Sequence, residues 1–167
     1  MFYAADKLGL LIDGRFYSHL MKDLGPVDWT DLRIKFSKKG RLIAPVYVTP
    51  IFETDDGVYP LIAMCDHLKH NGYTVHTRKV RDRTLPSDSC VKVEITIEAL
   101  RMAAQVDHII LALGDASYIP LLQQIRAMGT RITILGCSDC VSGRVIDSAD
   151  AFIDASDVTI RFVKKED

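Results

Sequence analysis

Apolar runs rich in β-branched residues alternate along this chain with longer segments whose apolar positions recur every three to four residues. The first run, 8–12, reads as a buried strand that Asp13-Gly14 ends. Residues 15–23 place Phe16, Leu20 and Met21 on one helical face. Residues 28–36 start a second short helix, with Pro26 and an Asp28 cap ahead of Trp29, Leu32 and Phe36. A second strand spans 43–48 and is followed by a loop over 49–59 that carries Glu53, Asp55, Asp56 and Gly57. Pro60 opens a helix through Lys69, which Asn71-Gly72 closes. Residues 73–80 alternate as a third strand, and 81–89 form a polar loop around Pro86.

Val91, Ile95, Leu100 and Met102 repeat helically over 91–105. A fourth strand over 108–113 ends at Gly114-Asp115. Ser117 suits an N-cap for a helix through Met128, with Pro120 in its first turn and Gly129 ending it. A fifth strand over 131–135, a helix over 142–148 and two short strands over 151–153 and 158–163 complete the pattern. Strand–helix alternation implies right-handed crossovers and a parallel sheet with helices on both faces. Binding sites in such sheets lie outside the carboxyl ends of the strands. Asp13 and Asp115 each follow a strand directly, so they approach one another if the first and fourth strands are neighbours.

Composition changes this picture little. A chain of 167 residues, 48% hydrophobic and with formal net charge -1, suits one domain over 1–167 with a sizeable core. It argues against a strongly basic nucleic-acid scaffold but leaves room for a local basic patch. The start of the chain is polar, and its first apolar run is too short for a signal-peptide core or a membrane span. The expectation is a cytoplasmic protein with no membrane partner. Cys65, Cys90, Cys137 and Cys140 are too few and irregular for a disulfide framework. Cys137-Ser138-Asp139-Cys140 lacks further zinc ligands nearby and follows the fifth strand, where a thioredoxin-type motif would follow the first. Its cysteines are expected to be small packing or cap residues.

Two carboxylates converging on a sheet edge are unfavourable unless a cation or proton neutralises them. Such pairs hold Mg²⁺ or Mn²⁺, which can activate water against a phosphodiester. The alternative is that each Asp-Gly or Gly-Asp simply forms a turn. Arg78, Lys79, Arg81 and Arg83, with Arg15, could track a phosphate backbone, and Tyr17 or Tyr118 could stack on a base. The other reading of that basic group is a solvated loop.

Several segments resemble the NYN domains of the LabA/DUF88 group, which are PIN-like ribonucleases. They are Ile12-Asp13-Gly14, the stretch 91–100, and Leu113-Gly114-Asp115-Ala116-Ser117-Tyr118-Ile119-Pro120. Segments 67–75, 129–134 and 148–153 extend the similarity in order along nearly the whole chain. The resemblance implies a Rossmann-like, three-layer PIN/NYN domain. Its mainly parallel sheet would have five to six strands with helices on both faces. It also implies an acidic pocket for a divalent metal, and single-stranded RNA as substrate.

Carried over residue by residue, the resemblance makes Asp13, Glu98 and Asp115 the catalytic and metal-binding acids. Phe16, Lys92 and Ser117 depart from the pattern, standing where the family has asparagine, aspartate and aspartate. Lys92 either takes the metal's place, bridging Asp13 and Asp115, or points to solvent. At an effective dielectric of about 20, a unit charge pair at about 4 Å is worth roughly 4 kcal/mol. Both placements weaken metal binding. The resulting expectation is a weakly active or non-catalytic NYN protein that binds RNA or a protein partner. One alternative is an active Mg²⁺- or Mn²⁺-dependent endoribonuclease, in which Glu94 or Asp150 supplies the missing carboxylate. The other is a regulatory or structural homo-oligomer without a nucleic-acid role.

Overall fold

The apolar runs pair side by side as parallel strands, because a run buried on both faces needs helices above and below it. The computed structural model describes residues 1–25, 27–52, 61–80 and 89–158. The strands are β1 (Lys7–Asp13), β2 (Arg41–Phe52), β3 (Thr74–Val80), β4 (His108–Ala112), β5 (Arg131–Gly136) and β6 (Ala151–Asp154). They form a sheet in the order β3-β2-β1-β4-β5-β6, and each neighbouring pair is parallel. The helices are α1 (Gly14–Leu24), α2 (Trp29–Ser37), α3 (Ile62–His70), α4 (Ser89–Ala103), α5 (Ile119–Ala127), α6 (Gly143–Asp147) and α7 (Ala155–Val158).

Two cores flank the sheet. Val91, Ile95 and Ala99 of α4 and Leu122 and Ile125 of α5 cover Leu11, Ile109, Leu111 and Ile134 on one face. On the other face Tyr17, Trp29, Leu32 and Leu68 cover Leu10, Ile12, Ile110 and Tyr47. Trp29 packs edge-on to Tyr47 and Tyr73, with ring centroids 5.5 and 5.9 Å away. The Tyr73 hydroxyl donates to the Trp29 carbonyl at 2.8 Å, which satisfies a polar group that would otherwise be buried unpaired.

β2 is longer at both ends than its apolar run implied, and it passes through Pro45 and Pro50. A proline cannot donate to a central ladder. Here β3 begins pairing at Val46, so β1 is the neighbour paired with Pro45. β1 stops at Val48, so β3 is the neighbour paired with Pro50. Each proline therefore sits where β2 is paired on one side.

Other boundaries also moved. Val158, expected to open a last strand, closes α7 instead, and 159–163 lies outside the described residues. The acidic loop over 53–59, Pro60 and the loop over 81–88 lie outside them too, so Arg81 and Arg83 have no place in the geometry below.

Candidate functional site

β1 and β4 are adjacent, with Leu8 beside His108 and Ile12 beside Ala112. The chain leaves β1 toward β2 on one side and leaves β4 toward β5 on the other. A crevice opens where neighbouring strands depart in opposite directions. Asp13 and Asp115 both stand at this point.

Asp13 is 9% exposed and caps α1. Its Oδ1 accepts from the backbone N–H groups of Arg15 at 3.0 Å and Phe16 at 3.4 Å, and the Tyr118 hydroxyl donates to Oδ2 at 3.3 Å. Burial pushes its carboxyl above 3.8, and these hydrogen bonds oppose the shift. Because the protonated form is favoured on folding, the Asp13 contribution to stability falls as pH rises from 3.8 through the raised value. Asp13→Asn keeps a cap acceptor and loses the buried charge. It should unfold within about 0.5 kcal/mol of the parent at neutral pH, whereas Asp13→Ala should lose about 1–2 kcal/mol. Urea titration of both variants distinguishes them, and equal losses would contradict the capping role.

Asp115 is held differently. Its Oδ1 accepts from Ser117 N–H at 2.7 Å, starting a 3₁₀ turn over Ala116–Tyr118 that leads into α5. Ser117 is thus capped and does not itself cap, because the carboxylate two residues earlier is the stronger acceptor. Lys92 Nζ donates to Asp115 Oδ2 at 2.7 Å and lies 5.9 Å from the centre of the Tyr118 ring. Lys92 holds the Asp115 carboxyl down at about 2, with Ser117 N–H adding to the effect. Lys92→Met should therefore move this carboxyl from about 2 toward 3.8, followed by carbon-detected NMR titration. An unmoved midpoint would mean that the ion pair does not form in solution.

A cavity of about 250 Å³ lies over this pair, lined by Asp13, Arg15, Phe16, His19, Lys92 and Asp115, with Cys140 at its side. A second hollow of about 230 Å³ shares Arg15 and His19 and adds Lys22. His19 was not singled out in the sequence. Its signal was the spacing of Arg15, His19 and Lys22, four and three residues apart, which puts them on one face of α1. Phe16 fills space left by two glycines. A Cβ on Gly114 would sit 2.4 Å from the Phe16 ring, and one on Gly136 would sit 3.0 Å from it.

The other acids expected here are elsewhere. Glu98 lies six residues beyond Lys92 on α4, about 9 Å along the helix. It pairs with Arg101 at 2.7 Å and His76 at 3.8 Å, and lines a separate hollow with Ile43 and Met102. Glu94 pairs with Arg78. Asp150 accepts from Ile132 N–H at 2.8 Å near the start of β5, away from the carboxyl edge. Arg78 and Lys79 stand on β3, two strands from β1. Tyr17 and Tyr118 are 0% and 2% exposed, so neither ring is open to a base.

Mg²⁺ or Mn²⁺ needs carboxylate oxygens free to coordinate. Asp13 and Asp115 already accept N–H or O–H donors on both oxygens, one of them from an ammonium. With Glu98 directed elsewhere, two carboxylates remain at this edge, and the Lys92 ammonium competes with a cation for one of them. Among the described residues no group of three or more His, Cys, Asp or Glu is arranged to hold one.

The sequence profile of the NYN domain matches residues 7–159. The Low amplitude and bright protein LabA of Synechococcus elongatus is 26% identical over 107 residues, covering 60% of this chain and 57% of that protein. The chain thus spans little more than half the length of this curated relative. In three dimensions it is similar to a Vibrio parahaemolyticus protein of unknown function, VPA0982, at a TM-score of 0.76 and 21% identity. That match covers 93% of this chain and 97% of the other, and it bears on the fold alone. The sheet order, the paired aspartates at its centre and the profile match over most of the chain make this protein a member of the NYN domain family, in its LabA-like group.

Proposed function

We propose that this NYN domain is of ribonuclease ancestry and binds single-stranded RNA without cleaving it, its metal site replaced by a solvent-exposed ion pair between Lys92 and Asp115. The observation that carries the reading is the 2.7 Å contact between Lys92 and Asp115. An ammonium on that oxygen supplies the positive charge a metal would otherwise bring, but it cannot generate a bound hydroxide. The Arg15, His19 and Lys22 side of the adjoining hollows supports binding of a phosphate backbone. Among the described residues no helix is long and apolar enough to cross a membrane.

The deciding experiment pairs a fluorescence-anisotropy titration of labelled single-stranded RNA with a cleavage assay in Mg²⁺ and in Mn²⁺. Binding that weakens with salt and in Arg15→Ala/Lys22→Ala, without turnover, is expected. Turnover lost in Asp115→Asn would favour the active endoribonuclease. Absence of RNA binding, with a concentration-dependent molecular mass, would favour the homo-oligomer or protein-binding reading.

A further inference from the structure

Cys137 and Cys140, expected to be small packing or cap residues, are joined by a disulfide whose Cα atoms lie 5.3 Å apart. The turn that brings them together is independently hydrogen-bonded. Both Cys140 N–H and Val141 N–H donate to the Cys137 carbonyl at 3.1 Å. The backbone turn is thus held by bonds other than the one between the sulfurs. A bridge across two intervening residues closes a very short loop, and the chain-entropy argument gives short loops the least stabilisation. Global stability is a weak reason for this disulfide.

Accessibility and position suggest a different role. Both cysteines are half-buried and flank the exposed Ser138 and Asp139, whereas Cys65 is buried and its thiol is pushed up by that burial. Thiol–disulfide exchange needs an approachable sulfur and a thiolate attacker. Cys140 also lines the cavity that holds Asp13 and Asp115. Its carbonyl would lie 2.8 Å from a Cβ on Gly114, so the two backbones touch. Ser142 N–H donates to the Gly114 carbonyl at 3.0 Å, tying the far end of the same turn to the residue before Asp115.

We propose that Cys137 and Cys140 are a reversible thiol–disulfide centre, exchanging with dithiol reductants, whose oxidation state sets the position of the Gly114–Asp115 wall of the cavity. A reductant thiolate attacks one sulfur, forming a mixed disulfide and breaking the Cys137–Cys140 bond. The released sulfur leaves as a thiolate and takes a proton. The reductant's second thiol, as its thiolate, displaces the remaining cysteine, which is protonated in turn. Two electrons and two protons pass to the protein, and the reductant leaves as its own disulfide. This holds whatever the cavity binds.

The test titrates the full chain through ratios of dithiothreitol to oxidised glutathione. Differential alkylation with peptide mass mapping follows the sulfurs, and amide NMR follows the backbone. Cys137 and Cys140 should become alkylatable together. The Gly114, Asp115 and Ser142 amide resonances should shift with the same midpoint, and the shift should vanish in the folded Cys137→Ser/Cys140→Ser protein. Three results would each overturn the proposal. The disulfide could survive excess dithiothreitol in the native protein, both sulfurs could remain thiols in excess oxidised glutathione, or the Gly114 and Asp115 resonances could stay fixed while the sulfurs titrate. The wild-type titration alone decides the matter if the serine variant does not fold.

Discussion

Gly114→Ala is expected to destabilise the protein by about 3 kcal/mol, the upper part of the range for overpacking a filled site. The added methyl would meet the Phe16 ring at 2.4 Å and the Cys140 carbonyl at 2.8 Å. The ring can turn aside at modest strain, but the carbonyl belongs to a turn hydrogen-bonded on both sides and yields less readily. Phe16→Leu in the same chain should therefore restore part of the loss and leave the carbonyl's share. Chemical denaturation of the two single variants and the double variant measures this as a coupling energy. Strict additivity would show that Phe16 does not press on Gly114. The change should also displace Asp115, so the carboxyl titration near 2 should shift even where the protein stays folded.

The second large effect is acid lability at the amino-terminal end of β4, the strand that precedes Gly114. His108 is 1% exposed, stacked on Phe2 with ring centroids 4.6 Å apart, and its Nε2 shares a hydrogen bond with the Thr133 hydroxyl at 2.7 Å. Burial, helped by the nearby Arg131 guanidinium, pulls its pKa down from 6.5 to about 4. The unfolded chain thus binds a proton between those values and the folded chain does not. The stability that neutral His108 contributes is complete above 6.5 and is lost as pH falls toward 4. A shift of this size corresponds to about 3 kcal/mol. Unfolding free energies measured from pH 7.5 to 4.5 should decline accordingly, and the decline should be much shallower in His108→Phe/Thr133→Val. Parallel curves for parent and variant would remove His108 as the cause.

The strands were legible because their apolar runs are uninterrupted, as in Leu10-Leu11-Ile12 and Ile109-Ile110-Leu111. A parallel sheet buried on both faces requires such runs. The full extent of β2 was hidden by Pro45 and Pro50, which normally argue against a strand. Pairing on one side at each proline resolves this, and that depends on where β1 and β3 stop. The convergence of Asp13 and Asp115 was readable from order alone, given β1 beside β4. The placement of Glu98 was not. Family correspondence gave it a position along α4, but its direction depends on how Val91, Ile95 and Ala99 seat the helix on the sheet. Cys137 and Cys140 were misjudged because their spacing was weighed against zinc and thioredoxin patterns. A bonded pair needs neither, only a turn that brings the two Cα atoms together.

The capping bonds of Asp13 and Asp115 have a consequence for tracing nuclease activity across distant relatives. Asp13 closes β1, Asp115 follows the end of β4 by three residues, and each seeds the helical turn after it, so folding alone can keep an acceptor in both places. Two aspartates in these slots therefore say little about turnover. Under the function proposed above, whether a chain cuts RNA is better judged at the position of Lys92. In this chain an ammonium stands there, on a carboxylate oxygen that a cation would also need.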